Sequence, residues 1–576
     1  MTKIETYLRY QDIFGIASTK GQFEDGMRAL DIGLVLRLFS PVNTICSRDG
    51  LPDRDAAQIG LIHEIFDPDT ERLVRQYFLD HGRVIPVFHR KQCLFVMREA
   101  MRLCPDIPGM QPTSAREQLA RISLMANEFA SATTILEPSD PFYATQMMCD
   151  FIPITEANEL KFNMSSISRM HKIVHEIAAA RRNESPFFDI PVLFEEVSGL
   201  PFETFEGLCL SILPRVLNSA KDVLSQSPFY GVPMDFFDQT GLSSKDRDIF
   251  FGLLARTPDE FRERLRKAPA TLSDFTIFKE TPFLRNFDRL VPIDTTACIE
   301  KFETAVFFTV LRSLPDNKKK ESFISFWAAV FEDYIDWLIA NSVDHRLNKF
   351  YPSPRYMGNN RQEVCDGILI SGQTAVFIEC KGGFMRKEAK YGGNPVALRE
   401  EIEKKYVAPK GVYQLAHSIV TALNKSNRPM INGIDLSEVR TVMPLLITRD
   451  DIGDGFFVNS YLNSRFDDAK RETNLSGEVS PIYCTKLISI SVDVIEKISP
   501  FLSDTRMGAI LADRLMSDPA LLAPFFMKEV HSITSKPARP PLLLKAINPE
   551  LSRTAARFLK VDPQANDAVG GSNSSS

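Results

Sequence analysis

Two short apolar runs, each carrying charged residues, constrain the fold of this chain more than any other feature. Residues 364–370 (VCDGILI) contain Asp366, and residues 375–381 (AVFIECK) end with Glu379 and Lys381. Their length and apolar composition are typical of buried β-strands. Because a buried charge is costly unless it is paired, hydrogen-bonded or bound to a metal ion, these three side chains predict a functional site within a sheet.

The four residues between the two runs, SGQT, predict a tight turn that joins them as a hairpin. Gly372 stands first in the two-residue loop, as a type II′ turn prefers. Counting outward from that loop places Asp366 directly opposite Glu379, with their Cβ atoms about 4.5–5.5 Å apart. Lys381 lies two residues further along and therefore shares their face of the sheet. A slip of one residue in the pairing would separate the three side chains.

The spacing Glu-x-Lys has little weight by itself. It also occurs at 159–161, 388–390 and 403–405, in polar or helix-like stretches where a solvated surface is expected. The pair formed by Glu379 and Lys381 differs because it ends an apolar strand and faces an aspartate. A structural ion pair in an ordinary hairpin is the alternative to a metal site.

Two carboxylates beside a lysine predict a site for a divalent cation, with Asp366 and Glu379 as ligands and Lys381 next to them. Carboxylate oxygens suit Mg²⁺, which usually takes one or two protein carboxylates together with substrate phosphate. Such an ion polarises a phosphoryl group and lowers the pKa of a bound water. We expect Mn²⁺ to substitute for Mg²⁺.

This arrangement resembles the PD-(D/E)XK nuclease superfamily, which has the restriction-endonuclease-like fold. The resemblance covers residues 321–450 and departs from the family pattern at Cys365, where the family has proline. It implies an α/β nuclease core with a helix, a three-stranded meander, a second helix and a further strand in that order. The segments expected to form these elements are 321–340, 348–351, the two apolar runs, Val412–Leu423 and Thr441–Thr448.

The resemblance also implies a third acidic metal ligand on the first helix, and Glu332 is the candidate. This residue lies at the margin of an apolar stripe with helical spacing, and the alternative is an exposed acid beside the stripe. Asp333 and Asp336 lie further round the helix and are expected to be solvated. The stripe consists of Ile324, Trp327, Ala328, Phe331, Ile335 and Leu338.

Polar residues beyond the hairpin complete the predicted site. On the second helix, the resemblance implies that Gln414 orients water or phosphate, with a surface amide as the alternative. The segment after the hairpin is rich in glycine and basic residues, and Arg386, Lys387, Lys390 and Arg399 are predicted to contact nucleic-acid phosphates. A solvated loop is the alternative for each of these four residues.

The function predicted from these features is that of a Mg²⁺-dependent deoxyribonuclease that hydrolyses phosphodiester bonds, with RNA as an alternative substrate. A large helical region beside such a core suggests a bacterial anti-phage defence or restriction-like effector. One alternative is a non-catalytic helical scaffold whose nuclease-like domain binds nucleic acid or protein. Another is a nuclease of DNA repair or recombination.

Length and charge set the expected organisation. A chain of 576 residues predicts two or three domains. We expect a mostly α-helical region over 1–290, a nuclease-like domain over 291–500, a helical segment over 501–562 and a disordered tail over 563–576. The first region is expected to bind substrate or an activating protein partner, or to form a homo-oligomer. The net charge of −6 predicts a local basic cleft for nucleic acid, not a basic surface.

Several patterns bear on location and on zinc. Nine cysteines are scattered without a CxxC pair, which predicts reduced thiols in a cytoplasm. No segment has the apolar core of a signal peptide or the length of a membrane helix, so we expect no membrane partner.

His171 and His175 stand four residues apart, but Lys172 follows the first histidine where a zinc-protease helix has glutamate. That pattern favours a surface histidine pair over a zinc site.

Overall fold

The computed structural model shows a mostly helical protein with an α/β region in its C-terminal half. The predicted tail at 563–576 and the Glu-x-Lys triplet at 159–161 lie outside the described residues. The residues described are 7–46, 54–107, 109–130, 139–140, 142–155, 165–218, 231–238, 242–267, 274–286, 289–357, 362–423, 431–472, 482–523 and 542–558.

The region before residue 290 is built mainly of helices, as its periodicity predicts. Several helices begin after a residue suited to the N-cap position. Asp67 is an example: it precedes the helix that starts at Pro68, and its carboxylate accepts a hydrogen bond from the backbone N–H of Thr70. A π-helical turn, Ile173–Ile177, joins α9 to α10. The helices are α1 Tyr10–Phe14, α2 Lys20–Arg28, α3 Ile32–Cys46, α4 Arg54–Ile65, α5 Pro68–His81, α6 Arg90–Leu103, α7 Pro112–Ala130, α8 Tyr143–Thr155, α9 Ser165–Lys172, α10 Ala178–Ala180, α11 Ile190–Ser198, α12 Phe202–Asn218, α13 Ser244–Leu254, α14 Pro258–Lys267 and α15 Thr276–Glu280.

A small four-stranded sheet near residue 290 was not predicted. Its strands pair in the order β1-β4-β3-β2. Each has only two to four residues, which is too short for an alternating apolar pattern to appear in the sequence. The strands are β1 Val232–Pro233, β2 Ala255–Arg256, β3 Phe283–Asn286 and β4 Arg289–Pro292.

The α/β region contains the predicted elements in the predicted order: a helix, three strands, a second helix and a further strand. Two short helices, α18 and α19, come between the third strand and the second main helix. The elements are α16 Thr295–Ser313, α17 Asn317–Ser342, β5 Lys349–Pro352, β6 Gly367–Ser371, β7 Thr374–Lys381, α18 Lys387–Tyr391, α19 Pro395–Ile402, α20 Val412–Leu423, β8 Thr441–Thr448, α21 Val458–Glu472, β9 Tyr483–Cys484, β10 Ile488–Ser491, α22 Val492–Ile498, α23 Met507–Ser517 and α24 Leu542–Phe558.

The second sheet has the order β10-β8-β7-β6-β5, with β9 pairing beside β8. Strands β5, β6 and β7 form an antiparallel meander, whereas β7 and β8 are parallel and are connected through α20. The hairpin register is the predicted one, since Ser371 pairs with Thr374 and Gly367 pairs with Ile378. Gly372 has a φ of +63°, which the first position of a type II′ turn requires.

Three hydrophobic cores organise the described residues. The first lies among α1–α7, α14, α15 and the small sheet. The second joins α9, α11, α12, α16 and α17 to one face of the second sheet and to α22–α24. The third lies between the other face of that sheet, α8, α20 and α21. The second core therefore contains residues from both sides of the predicted domain boundary at residue 290.

Helix α17 is buried over a wider surface than the predicted stripe. Trp327, Phe331, Ile335 and Leu338 are buried as predicted, but Ile324 is 38% exposed, so its assignment to the stripe was wrong. The helix contacts β7 on one side and the π-helical turn on another. A single apolar stripe packs against only one neighbouring element. The periodicity therefore predicted fewer buried residues on α17 than the structure shows. The additional buried residues are Phe323, Phe326, Val330, Tyr334, Ile339 and Ser342.

A buried ionic cluster ties the N-terminal helices to the α/β region. The guanidinium of Arg169, on α9, donates to Glu303 of α16 at 2.8 Å. It also donates to Asp493 and Glu496 of α22 at 2.9 and 2.7 Å. The hydroxyl of Tyr334 donates to Glu496 at 2.5 Å. One arginine therefore holds carboxylates from two helices that lie more than 130 residues away in the sequence.

Within the described residues, no single helix is long and apolar enough to cross a membrane. The bent pair formed by α2 and α3 passes the same test of length and composition when its two helices are taken together.

All nine cysteines are described and carry free thiols, seven of them buried.

Candidate metal and catalytic site

The three charged side chains of the hairpin come together at its open end. Asp366 directly precedes β6, and its Oδ2 accepts from the backbone N–H of Cys380 at 2.6 Å. The Nζ of Lys381 donates to Oε1 of Glu379 at 2.6 Å. The predicted opposition of Asp366 and Glu379 follows from the pairing of the adjacent residues, Gly367 and Ile378.

Strand alternation explains which face these side chains occupy. Ala375 and Phe377 of β7 pack into the third core, so Glu379 and Lys381 continue along the same face at the end of the strand. Helix α20 covers this face. A Cβ added at Gly411, just before that helix, would lie 3.3 Å from Cε of Lys381. The first turn of α20 therefore borders the lysine.

Helix α17 approaches the same end of β7 because Gly382 follows Lys381. A Cβ at that glycine would lie 2.9 Å from Cα of Ala328 and 2.7 Å from Cβ of Phe331. This close contact, which only glycine permits, brings Glu332 to the hairpin acids. Burial, followed by the charge of Asp366, raises the pKa of Glu332 to about 8.

Asp336, one helical turn beyond Glu332, is also part of the acidic group, so the prediction that it is solvated was wrong. Burial, and then the charges of Asp333 and Asp366, raise its pKa to about 7. Asp333 faces another way and pairs with Arg181. The sequence placed Asp336 outside the apolar stripe. It is nevertheless half-buried, because other elements pack against α17 on more than one side.

Glu363 is a further acid that the sequence did not point to. Burial, and then Asp366, raise its pKa, and it pairs at 3.8 Å with Arg355. It lies outside both apolar runs, in a stretch with no periodic pattern. Its position three residues before Asp366 and the antiparallel bridge between Arg355 and Glu363 bring it to the end of the hairpin.

Mutual repulsion of the carboxylates shapes the charge state of the site. Burial, and then the charge of Asp366, raise the pKa of Glu379 to about 7. Burial also raises the pKa of Asp366 itself. Although burial opposes its charge, Glu379 and Asp366 together raise the pKa of Lys381 above its ordinary value. The lysine is therefore held as a cation, which argues against a role as a general base.

The residues present fit a hard divalent cation. Oε2 of Glu379 is buried and has no hydrogen-bond partner among the residues that the structure describes, while its other oxygen accepts from Lys381. A buried acceptor without a partner is costly, and a metal ion would satisfy it. With Asp366 and Glu332, the donor set consists entirely of carboxylate oxygens, as Mg²⁺ and Mn²⁺ prefer.

Gln414 lies on the first turn of α20, three residues after the glycine that borders Lys381. Its side chain is half-buried, and the described part of the chain offers it no hydrogen bond. An amide in this position is available to a bound water or phosphate. His417, one turn further on, is exposed.

Each of the four predicted phosphate contacts has a neighbour within the protein. Arg386 is 66% exposed and pairs at 2.7 Å with Glu401. Lys387 lies 4.8 Å from the ring centroid of Phe308, and burial lowers its pKa to about 8. Arg399 stacks 5.3 Å from the centroid of Phe142.

Lys390 is placed where it cannot reach a bound nucleic acid. Its side chain is only 4% exposed, and its ammonium pairs with Asp450 at 2.6 Å and with Asp451. These acids follow β8, about sixty residues along the chain, so no local pattern could have revealed them. A buried ammonium needs such partners to offset its desolvation.

The burial of two further lysines was not predicted. Lys405 belongs to one of the Glu-x-Lys triplets interpreted as solvated, yet it is half-buried, and a Cβ at Gly383 would lie 3.6 Å from its Nζ. Lys301, on α16, is buried, and burial followed by the charge of Lys387 lowers its pKa well below the ordinary value. Both occur in helical charge patterns that are typical of solvated surfaces.

Comparisons of the chain with protein family models, with curated proteins and with solved structures found no match.

Replacing Glu332 by glutamine is expected to stabilise the metal-free protein at about pH 8. The pKa of Glu332 is raised from 4.5 to about 8, so the folded protein retains a proton that the unfolded chain releases at lower pH. The stability from this proton is complete below about pH 4.5 and is lost as the pH rises toward 8. Glutamine is neutral throughout and avoids that loss.

Thermal unfolding in EDTA measures this effect. We expect Glu332→Gln to raise the Tm by a few degrees at about pH 8 and by less at about pH 5. Glu321→Gln, an exposed position on the same helix, is the matched control. An equal Tm for Glu332→Gln and the unchanged protein at the higher pH would contradict the raised pKa.

Proposed function

We propose that this chain is a Mg²⁺-dependent deoxyribonuclease and that residues 321–450 form a restriction-endonuclease-like core. The observation that carries the proposal is the convergence of Asp366, Glu379 and Lys381 at the end of one hairpin, with a buried oxygen of Glu379 left without a partner. Glu332 adds a further carboxylate from α17.

Each side chain has a role that follows from its position. Asp366, Glu379 and Glu332 would hold Mg²⁺, which supplies Lewis-acid stabilisation of charge on the scissile phosphate when bound. Lys381, kept protonated by its acidic neighbours, would donate a hydrogen bond to a phosphate oxygen as negative charge develops there. Gln414 would orient the attacking water.

Nucleic-acid affinity would come from local cations, because the chain as a whole carries a net charge of −6. Arg386 is the most exposed of the predicted contacts, and Lys387 and Arg399 are half-buried beside aromatic rings. Lys390 is omitted from the proposed interface. Such contacts position the backbone without specifying sequence.

The proposed biological setting is bacterial genome defence in the cytoplasm, with the helical N-terminal region recognising substrate or an activating partner. The second core supports coupling between the two regions, because α9, α11 and α12 pack on α16, α16 packs on α17, and α17 packs on β7 of the sheet that carries the site. The alternative is a non-catalytic scaffold that binds nucleic acid or protein, and a protein partner is favoured by the ion pairs that already occupy Arg386 and Lys390.

A cleavage assay on the full chain tests the proposal. Linear duplex, circular duplex and single-stranded DNA, and RNA of matched length, are incubated with Mg²⁺, with Mn²⁺ and with EDTA. We expect DNA cleavage with either metal and none with EDTA. Binding without cleavage under every metal condition would support the scaffold, and cleavage of RNA alone would replace DNA as the substrate.

A further inference from the structure

A second cluster of ligating side chains lies among the N-terminal helices. His171 is on α9, His175 lies in the π-helical turn that follows, and Glu206 projects from α12. The histidine pair alone indicated a surface feature. The glutamate comes more than thirty residues later and its side chain is 0% exposed, so only the packing of α12 against α9 brings the three together.

The three side chains are spaced as ligands of one ion. Nδ1 of His171 lies 3.0 Å from Oε1 of Glu206, and Nε2 of His175 lies 3.2 Å from Oε2 of Glu206. All three ligand atoms lie within 4.8 Å of one another. Zinc bonds to nitrogen and oxygen of about 2.0–2.1 Å place tetrahedral ligand atoms roughly 3.3 Å apart. Small rotations of the rings would therefore admit the ion.

The chemistry of these donors favours zinc over magnesium. Two imidazoles with one carboxylate are a common zinc ligand set, whereas Mg²⁺ prefers oxygen donors alone. The charge around them is also suitable, because Glu203 and Glu550 both act electrostatically on His175, in addition to Glu206. Arg553, which pairs with Glu550 at 2.6 Å, is the opposing cation.

The surroundings leave room for a zinc ion to enter and for a fourth ligand to bind it. The side chains of His171 and His175 are 15% and 27% exposed, while Glu206 is fully buried beneath them. Helix α24, which carries Glu550, packs against both α9 and α12. A water or the Glu550 carboxylate would complete the coordination. A π-helical turn within an α-helix is itself frequent at functional sites.

We propose that His171, His175 and Glu206 form a Zn²⁺ site that joins α9 and its π-helical turn to α12. Without zinc, both histidines donate hydrogen bonds to the glutamate; with zinc, the same two nitrogens bind the ion in place of their protons. The proposal stands independently of nuclease activity.

The site also lies next to the helix that carries Glu332. Lys172 follows His171 directly, and its ammonium lies 4.2 Å from the ring centroid of Trp337 on α17. The π-helical turn contacts α17 as well. Zinc would therefore stiffen the packing between the N-terminal helices and α17.

Zinc binding to the chelator-treated full chain tests the proposal. Competition with a chromophoric zinc indicator gives the Kd, and elemental analysis after gel filtration gives the stoichiometry. We expect one high-affinity Zn²⁺ per chain, unaffected by excess Mg²⁺, and a rise in Tm on binding. Glu206→Gln and His175→Ala should each weaken binding by at least about tenfold.

Three controls keep the test decisive. His417→Ala removes an exposed histidine outside the cluster and should retain full affinity. Asp366→Asn should also retain it, which separates this cluster from the hairpin acids. Cobalt substitution should show the absorption of a tetrahedral site with nitrogen and oxygen ligands, and this spectrum should be lost in Glu206→Gln with unchanged circular dichroism. Unchanged zinc affinity in both cluster variants, or no zinc bound by the unchanged protein, would overturn the proposal.

Discussion

Lys381→Ala is expected to lower the rate of DNA cleavage by about 10²-fold to 10³-fold, the effect of removing a preorganised donor to a developing negative charge. The ammonium of Lys381 is held 2.6 Å from Glu379, on the face that Asp366 shares. Removing it leaves the buried carboxylates in place and takes away the cation beside them. We expect DNA affinity to change little, because the cations proposed to contact the backbone, Arg386, Lys387 and Arg399, are retained.

The measurement is single-turnover cleavage of linear duplex DNA with saturating Mg²⁺, together with DNA binding in Ca²⁺. Lys404→Ala, an exposed lysine beyond the site, is the matched control and should cleave at the normal rate. Asp366→Asn should be at least as defective as Lys381→Ala, because it removes a proposed metal ligand. Cleavage that persists in both variants would reject the site assignment.

Arg169→Met is expected to destabilise the protein by about 3–5 kcal/mol, the cost of breaking a buried ion pair by removing one partner. The Arg169 side chain is 3% exposed, and without it Asp493 and Glu496 lose the cation with which they pair, while Glu303 keeps its pair with the buried Arg449. A loss of this size is a large part of the free energy of unfolding of a typical domain, about 5–15 kcal/mol.

Urea unfolding followed by fluorescence and circular dichroism measures this loss of unfolding free energy. It is observed as a shift of the first unfolding transition to lower urea concentration. Arg182→Met, an exposed arginine shortly after α10, serves as the control and should change the transition little. A loss below about 1 kcal/mol would mean that the cluster relaxes by taking up protons or water. It would also contradict the conclusion that the cluster joins the N-terminal helices to the α/β region.

The hairpin was predictable because its determinants are local. A turn of known type, two apolar strands and a period of two residues are enough to place Asp366 opposite Glu379. The order of helices and strands around it was predicted from the resemblance to a known family, which also covered β5, a strand of only four residues. The small sheet near residue 290 was missed because its strands are too short to show a period.

The surroundings of the charged side chains were not predictable in the same way. Lys390 belongs to a basic segment in the sequence, yet it is neutralised by Asp450 and Asp451 from the end of another strand. Asp336 is outside the apolar stripe of its helix and is nevertheless half-buried near the acids. In both cases, the packing that buries the side chain comes from elements distant in the sequence.

The sequence by itself determined a two-strand unit with two acids and a lysine on one face, because side-chain direction in a hairpin depends only on the turn and on alternation. The tertiary structure decided which further groups meet that unit: Glu332 through a glycine contact, and the first turn of α20 through Gly411. It also decided that His171 and His175 share Glu206. The physical reason is that burial and long-range packing set the charge, the hydrogen bonds and the metal-binding capacity of a side chain, and no local pattern records them.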